Sequence, residues 1–316
     1  MDCPRVVVTG AAGFIGSQIV KALATHYPLL DLLAVDHPLP RDSRIGNLIK
    51  GIPFLAHNDF LSSLESGGIR PSLILHMGAC SSTTETCWEY LLQNNLEYSK
   101  SLWTWCANND ARFIYASSAS TYGNGENGFD DSTPLELLKP LSLYAKSKHD
   151  FDLWVQSRAS NGYVGLKFFN VFGQGESHKG PMASMVFHGL HQIRKSGRVS
   201  LFQSHHPDCA NGGQLRDFIY VKDAVRVVLA IIAHPEISGL FNLGTGTAHT
   251  YNELMEHTFR ALGRRPAIDY VPIPENIRDG YQYFTQASME KLRGLGIDCV
   301  TTPLCDAIMD YADLNA

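Results

Sequence analysis

Through the first half of the chain, short apolar runs alternate with longer stretches of helical periodicity. Residues 5–9 (RVVVT), 32–36 (LLAVD), 73–76 (LILH), 113–116 (FIYA) and 165–169 (GLKFF) read as strands. Between them, residues 14–26, 88–108 and 144–160 have the length and spacing of helices. Strands that are apolar almost throughout, rather than at alternate positions, belong to parallel sheets covered on both faces. The alternation therefore predicts an α/β fold: a Rossmann-type doubly wound parallel sheet with right-handed crossovers.

After residue 170 the pattern loosens. Residues 173–181 form a polar, glycine-rich stretch, 182–196 reads as a helix, and 205–214 (HHPDCANGGQ) is a polar loop. Residues 218–221, a helix from 223, and 240–243 are expected to return to the parallel sheet. No repeat or low-complexity linker interrupts the chain.

The first strand and helix are joined by TGAAGFIG, residues 9–16, with glycines at Gly10, Gly13 and Gly16. That spacing suits a dinucleotide. A tight turn needs free φ, a pyrophosphate needs close backbone approach, and the following helix must pack near the strand. The helix N-terminus then offers unpaired N–H groups to the phosphates. Asp36 lies 20 residues beyond Gly16, at the end of the second predicted strand, where an acid meets the adenosine ribose. Asp36 favours a free 2′-hydroxyl, whereas His37, Arg41 and Arg44 close behind it suit a 2′-phosphate. On these residues NAD and NADP both stay open. The expected organisation is an NAD(P)-binding domain of 1–169 plus about 217–247. A smaller mixed α/β substrate lobe takes about 170–216 plus 248–316.

Tyr144 and Lys148 form a YxxxK pair on the helix predicted from 144. Residues i and i+4 share a face, so the spacing places an ammonium near a phenol. A free phenol, titrating near ~10, is a poor base at neutral pH; a nearby cation favours phenolate. Tyr144 is thus expected to exchange a proton with a substrate hydroxyl while a hydride moves, with Ser118 bonding the same hydroxyl.

Composition narrows the partners. The 316 residues are 44% hydrophobic and 18% charged, with a net charge of −5. So mild an acidic balance gives no general attraction to nucleic acid or anionic membrane. No apolar run is long enough to span a bilayer. A strand begins at once, so no signal peptide is expected. Seven cysteines without CxxC spacing point to reduced thiols in a cytoplasm. His205, His206 and Cys209 share one loop but lack zinc spacing, and no metal is expected.

With these elements in place, the chain resembles the extended short-chain dehydrogenase/reductases through TGAAGFIG, SSASTYG (117–123), YAKSK (144–148) and FNVFGQG (169–175). More narrowly, it resembles the bacterial ADP-L-glycero-D-manno-heptose 6-epimerases. HMGACSSTTE (76–85), ESHKGPMAS (176–184), RDFIYV (216–221), FNLGTG (241–246) and YQYFTQ (281–286) carry that likeness. The resemblance makes NADP the expected cofactor and implies that, once bound, it oxidises the heptose C6 hydroxyl and returns the hydride to the opposite face. This chemistry needs an acid/base group on each face. The resemblance gives these roles to Tyr144 and to Lys179 of the HKG motif, with Lys148 and Ser118 assisting.

The same resemblance implies further contacts. For the cofactor they are Gly10, Gly13, Phe14, Ile15, Gly16, Asp36, His37, Arg44, His57, Met77, Gly78, Ala79, Cys80, Ser81, Asn94, Lys148 and Val171. For an ADP-heptose substrate they are Ser118, Asn170, Pro181, His188, Phe202, Gln203, Ser204, His205, Arg216 and Tyr281. Arg216 has the planar fork that binds a diphosphate; an ion pair with Asp217 is the alternative. Three departures stand out. Pro181 replaces a small residue and removes a backbone N–H. His37 and His57 stand where lysine or polar contacts are common. The 205–215 loop is longer than usual. Homo-oligomers are implied as well.

Two other enzyme readings and one non-enzyme reading compete with the 6-epimerase. A 4,6-dehydratase would need an Asp-Glu pair after the catalytic Ser/Thr, and residues 119–122 (ASTY) lack it. A C4 epimerase has no need of the HKG lysine. A non-catalytic NADP sensor would be expected to lose part of the Ser118, Tyr144, Lys148 set, all of which is present.

Overall fold

A computed structural model describes residues 5–38, 51–158, 162–278 and 281–314. Strands β1 (Arg5–Thr9), β2 (Asp31–Asp36), β3 (Phe54–Ala56), β4 (Leu73–His76), β5 (Arg112–Ser118) and β6 (Tyr163–Phe168) join the later β10 (Gly239–Leu243) in one sheet. Its order is β10-β6-β5-β4-β1-β2-β3, and each neighbouring pair is parallel. Val7, Val8, Ala34, Val35, Ile74, Leu75 and Ile114 are fully enclosed. Side chains on both faces of the central strands are buried, as their unbroken apolar runs predict. Helix α1 (Phe14–His26) packs with α6 (Val221–Ala233). The group of α2 (His57–Glu65), the long helix α3 (88–108) and α4 (Leu143–Gln156) packs separately. The sheet is therefore doubly wound. Strand order reverses between β1 and β4, which opens a crevice beyond their carboxyl ends.

A second sheet of three strands, ordered β11-β9-β7, contains β7 (Asn170–Phe172), β9 (Leu215–Tyr220) and β11 (Ala248–Thr250). A two-stranded parallel sheet pairs β8 (Val199–Phe202) with β12 (Ile268–Val271). Helix α7 (Tyr251–Ala261) lies against α5 (Met185–Ser196) and α8 (Leu304–Asp313). Thr250 and Glu253 start α7 with a reciprocal capping box.

Three expectations change. Residues 218–221 do not join the main sheet: Phe218, Ile219 and Tyr220 belong to β9, parallel to β7, and Val221 starts α6. The free edge of β6 is occupied by β10 instead, with Gly239 opposite Val164. The helix expected from 182 starts at Met185, because Ser184 caps it by accepting from Phe187 N at 3.1 Å. The long helix 88–108 is not uniformly α: Leu92–Glu97 is a π-helical turn. Such a turn rotates neighbouring side chains into positions that an α-helix would not give them.

Candidate active site

The glycine loop is shaped by close approach. Gly10 adopts φ +66°, and a Cβ there would stand 2.5 Å from Gly78 N. A Cβ on Gly16 would stand 2.0 Å from the Gly10 carbonyl oxygen. At Gly13 the same distance is 3.1 Å. Side chains at Gly10 and Gly16 would push the loop out of the crevice, so these two positions set its shape. Asp36 Oδ2 accepts from Ala12 N at 2.8 Å and Oδ1 from His37 N at 2.7 Å. The carboxylate is held at the cleft rim, and each oxygen keeps a lone pair for a ribose hydroxyl.

Beneath the loop, His76 is buried at the end of β4. Its Nδ1 lies 2.7 Å from Thr9 Oγ1 and its Nε2 2.9 Å from Ser99 Oγ. The Ser99 hydroxyl already donates to Asn95 O at 2.7 Å. The hydrogen-bond network therefore assigns the proton to Nε2 and leaves Nδ1 accepting from Thr9. Thr9 Oγ1 in turn accepts from Gly78 N at 3.3 Å. Burial, aided by the charge of Lys148, pushes His76 down to about 3. It is a neutral brace tying β1, β4 and α3 together.

This crevice opens into a cavity of about 550 Å³. Its walls include Gly10, Gly13, Phe14, Ile15, Gly16, Asp36, His37, His57, Met77, Gly78, Ala79, Ser81 and Asn94, all expected from sequence. Lys148 and Val171 instead line an adjoining cavity of about 430 Å³. Arg44 lies outside the described residues. Cys80 lines neither cavity; its thiol is pushed up mainly by burial. Its backbone is gripped by Asn95, whose Oδ1 accepts from Cys80 N at 2.8 Å and whose Nδ2 donates to Cys80 O at 3.1 Å. Nδ2 also donates to Ser147 Oγ at 2.9 Å. Asn95, a residue not singled out from sequence, thus couples the 77–81 segment to helix α4. Asn94 and Asn95 divide these tasks on the π-helical turn, and their adjacency in a long helix was the available signal.

The second cavity gathers Ser118, Tyr144, Lys148, Asn170, Val171 and Lys179. Phe14, Ile15, Met77, Ala79, Ser81 and Lys179 line both cavities, so the two meet at Lys179. Ser118 ends β5, while Tyr144 and Lys148 share one face of α4, which Ser142 caps by accepting from Ala145 N. Tyr144 is hydrogen-bonded to Ser118. Burial raises its phenol, and the Ser118 bond partly offsets this. The expected depression by Lys148 does not dominate, because burial of the phenol outweighs it; the Lys148 ammonium donates to Ala116 O at 2.9 Å. Burial pushes Lys148 down to about 8, against the opposing pull of Asp152.

Lys179 comes from a different part of the fold, the 3-10 turn Ser177–Met182. Its Nζ lies 5.5 Å from the Phe14 ring centroid. Among the described residues no hydrogen bond or ion pair engages that ammonium. Burial lowers its pKa, and Glu176 works in the other direction. Glu176 holds the turn in place. Its fully buried carboxylate accepts from Gly173 N at 3.0 Å, from Ser184 Oγ at 2.8 Å, and from Ser184 N. Tyr311 of α8 bonds it as well.

The remaining predicted substrate contacts fall elsewhere. Pro181 O faces His188 Nε2 at 3.4 Å. The ring of Phe202 is 6.0 Å from Tyr281, and His205 N donates to Tyr283 Oη at 3.0 Å. Gln203 and Ser204 continue from β8 into that loop, where Gln203 Nε2 meets Tyr270 O and Ser204 N meets Asn211 Oδ1. Arg216 lines neither cavity. It donates to Leu215 O and Gln282 O, between the rings of Tyr251 and Tyr281. The alternative ion pair with Asp217 is not formed. Strand alternation turns Asp217 away, and its carboxylate takes Thr245 N and Oγ1, Gly246 N and Ala287 N at 2.7–3.0 Å. Phe218, Tyr251, Gln282 and Thr285 line the second cavity without having been predicted. They converge from β9, α7 and the 281–286 segment, a meeting that only the tertiary fold creates.

Among the described residues no group of three His, Cys, Asp or Glu is placed to hold a metal ion, and no helix is long and apolar enough to cross a membrane.

Comparison with known proteins agrees with this geometry. Residues 6–244 match the sequence model of the NAD dependent epimerase/dehydratase family. An ADP-L-glycero-D-manno-heptose-6-epimerase of Nitratidesulfovibrio vulgaris is 44% identical over 311 residues, covering 96% of each chain. The crystal structure of the Helicobacter pylori ADP-L-glycero-D-manno-heptose-6-epimerase superposes with TM-score 0.81 at 26% identity, over 99% of this chain and 96% of that one. A Thermus thermophilus UDP-glucose 4-epimerase in complex with NAD matches with TM-score 0.78 at 27% identity, over 98% of both chains. A glycine crevice at the sheet's reversal point, an acid at its rim and a full-length run of such relatives lead to one conclusion: the chain belongs to the NAD-dependent epimerase/dehydratase family.

Proposed function

We propose that this protein inverts C6 of an ADP-glycero-manno-heptose, by way of a 6-keto sugar, in the supply of heptose precursors for lipopolysaccharide. It is an isomerase, with no net redox change. The observation that carries the reading is that Tyr144 and Lys179, from separate arms of the fold, line one cavity that adjoins the dinucleotide crevice.

The crevice fits a dinucleotide. The Gly10 and Gly16 approaches leave no room for a side chain, and Asp36 is fixed at the rim. NADP, when bound there, would supply reversible acceptance of a hydride from the sugar carbon. Gly10, Gly13 and the first turn of α1 would hold its phosphates, and Asp36 and the His37/His57 side would hold its ribose. Asn170, Ser118 and the Phe202–Tyr281 region orient the substrate, with Arg216 facing its diphosphate after leaving its backbone partners.

The two proton-transfer groups are complementary. Burial keeps Tyr144 as a phenol and moves Lys179 toward the neutral amine. One face therefore starts with an acid and the other with a base. Lys179 takes the hydroxyl proton on its face as the C6–H bond is broken. Tyr144 delivers a proton to the carbonyl oxygen when hydride returns to the other face. The pair ends in the opposite protonation states and is set for the reverse direction. No carboxylate lines the second cavity among the described residues, which argues against dehydration.

The main sheet carries the cofactor, and the lobe of β7, β8, β9, β11 and β12 carries the sugar. A cytoplasmic homo-oligomer completes the reading. Purified protein is expected to interconvert the D,D and L,D forms of ADP-heptose without added cofactor. Folded, cofactor-loaded protein that converts neither would overturn the proposal.

A further inference from the structure

Beneath the second cavity lies a buried polar cluster centred on Asp152. Tyr144, Lys148 and Asp152 follow at four-residue spacing along α4, so they share one face, and all three are buried. That face meets β5 residue by residue. Tyr144 bonds Ser118, and Lys148 Nζ donates to Ala116 O at 2.9 Å. Asp152 holds the residues on either side of Ala116. Its Oδ1 accepts from Tyr115 Oη at 2.8 Å and its Oδ2 from Ser117 Oγ at 2.7 Å. Strand β6 completes the cluster. Register sets Lys167 opposite Ser117, and its ammonium donates to Asp152 Oδ2 and to Thr121 Oγ1, each at 2.7 Å. Gly165, opposite Tyr115 in the same register, leaves room for the phenol: a Cβ there would stand 2.6 Å from Tyr115 Oη.

The cluster converges on Ser118. That residue ends β5 and caps the 3-10 turn Ala119–Tyr122. Its Oγ accepts from Ser120 N at 3.2 Å and from Ser120 Oγ at 2.9 Å, which leaves its own proton for Tyr144. Its backbone is tied on both sides. Thr121 Oγ1, which accepts from Lys167, donates to Ser118 O at 2.8 Å, and the preceding residue, Ser117, donates to Asp152. Both ties end on the Asp152–Lys167 pair, whose side chains are 0% and 1% exposed. Burial of a carboxylate and an ammonium carries a desolvation penalty that their attraction does little more than offset, so packing alone gives no reason for the pair. A fully bonded buried network does fix one arrangement of the elements it joins.

We infer that Asp152 and Lys167 are positioning residues for proton transfer: through Ser117 and Thr121 they hold Ser118 in register with α4, so that the Ser118 hydroxyl and the Tyr144 phenol meet the same substrate hydroxyl. The inference rests on the epimerase reading of the second cavity. Asp152, Lys167 and Thr121 line neither cavity, so they act on geometry and not on substrate binding. A misplacement of about 1 Å at the reacting groups costs on the order of 10² in turnover. Loss of a tie therefore shows in kcat, with KM and bound nucleotide unchanged.

The test cuts the network at Thr121, where the ion pair stays whole. Thr121→Val removes the hydroxyl and keeps the branched shape, whereas Thr121→Ser keeps the hydroxyl. Steady-state epimerisation of ADP-heptose by the full chain is followed by NMR, with bound nucleotide and circular dichroism measured on the same samples. Expected is a kcat lower by about 10- to 10²-fold in Thr121→Val, with KM and nucleotide content as in the parent, and recovery of kcat in Thr121→Ser. Full kcat in a folded Thr121→Val would overturn the inference, as would a loss that falls on KM or nucleotide content, or a Thr121→Ser variant as impaired as Thr121→Val. If Thr121→Val does not fold, Ser117→Ala is read in its place by the same criteria. It cuts the other tie and leaves Asp152 bonded to Tyr115 and Lys167. A parent chain that holds nucleotide and converts neither form of the sugar would instead remove the epimerase reading, and this inference with it.

Discussion

Replacing Lys179 with methionine separates chemistry from structure at this site. The ammonium has no hydrogen bond or ion pair among the described residues, so its removal leaves no orphaned partner. The methionine keeps an unbranched chain over Phe14, where Lys179 Nζ lies 5.5 Å from the ring. A near-isosteric change of this kind costs less than about 1.5 kcal/mol of stability. Glu176 loses no bond, because its carboxylate is held by Gly173 and Ser184. Folding and cofactor retention should therefore persist. The catalytic cost is of another order. Removing the acid/base group of one face forfeits about 10²–10⁴ in rate, or roughly 3–5 kcal/mol of barrier. The assay follows D,D to L,D ADP-heptose conversion by NMR, with cofactor content measured on the same sample. The pH profile provides a second readout. In the parent protein, burial brings Lys179 toward the neutral form. Activity that needs the amine as base falls as pH drops through its pKa, and the variant should lack that limb. Full activity in Lys179→Met, with the acidic limb intact, would refute the two-face mechanism and leave Lys179 a packing residue.

Three other predictions address separate parts of the machinery. Tyr144→Phe keeps the ring in its buried site but removes the proton and the Ser118 bond; epimerisation should fall by about 10²–10⁴ with cofactor still bound, and loss of cofactor instead would make Tyr144 a binding residue. Gly16→Ala puts a Cβ 2.0 Å from the Gly10 carbonyl, so the purified variant should carry little nucleotide, as read by mass after denaturation; normal occupancy would show that the loop shifts freely. His76 titrates at an ordinary 6.5 when unfolded but near 3 when folded, so the unfolded chain binds the extra proton between these values. Its stabilising contribution is complete above pH 6.5 and declines by up to about 1.4 kcal/mol per pH unit as pH falls toward 3. Urea denaturation at pH ~5 and ~7 should show a smaller acid loss in His76→Gln than in the parent, and equal losses would deny His76 that role.

Much of the nucleotide crevice was legible along the chain. The strand, glycine turn, helix and Asp36 are contiguous, and each rests on local hydrogen bonding and short-range sterics that a window of residues contains. The Tyr144–Lys148 spacing was legible for the same reason, since one helical turn fixes their common face. The proximity of Lys179 to Tyr144 was not. They are brought together by loop closure over the sheet and by the Glu176 clamp, neither of which has a local period. Arg216 shows the limit from the other side. Its guanidinium suits a diphosphate by type, yet in the fold it bonds two backbone carbonyls between Tyr251 and Tyr281. Asp217, adjacent in sequence, faces the opposite way because a strand alternates its side chains. Residues 218–220 have a strand's composition, but the edge of β6 is taken by β10 and they pair with β7 instead. Local physics thus determined which segments could hold a dinucleotide and transfer a proton. The tertiary structure decided which of those groups share a cavity, because that depends on contacts between residues far apart in the chain.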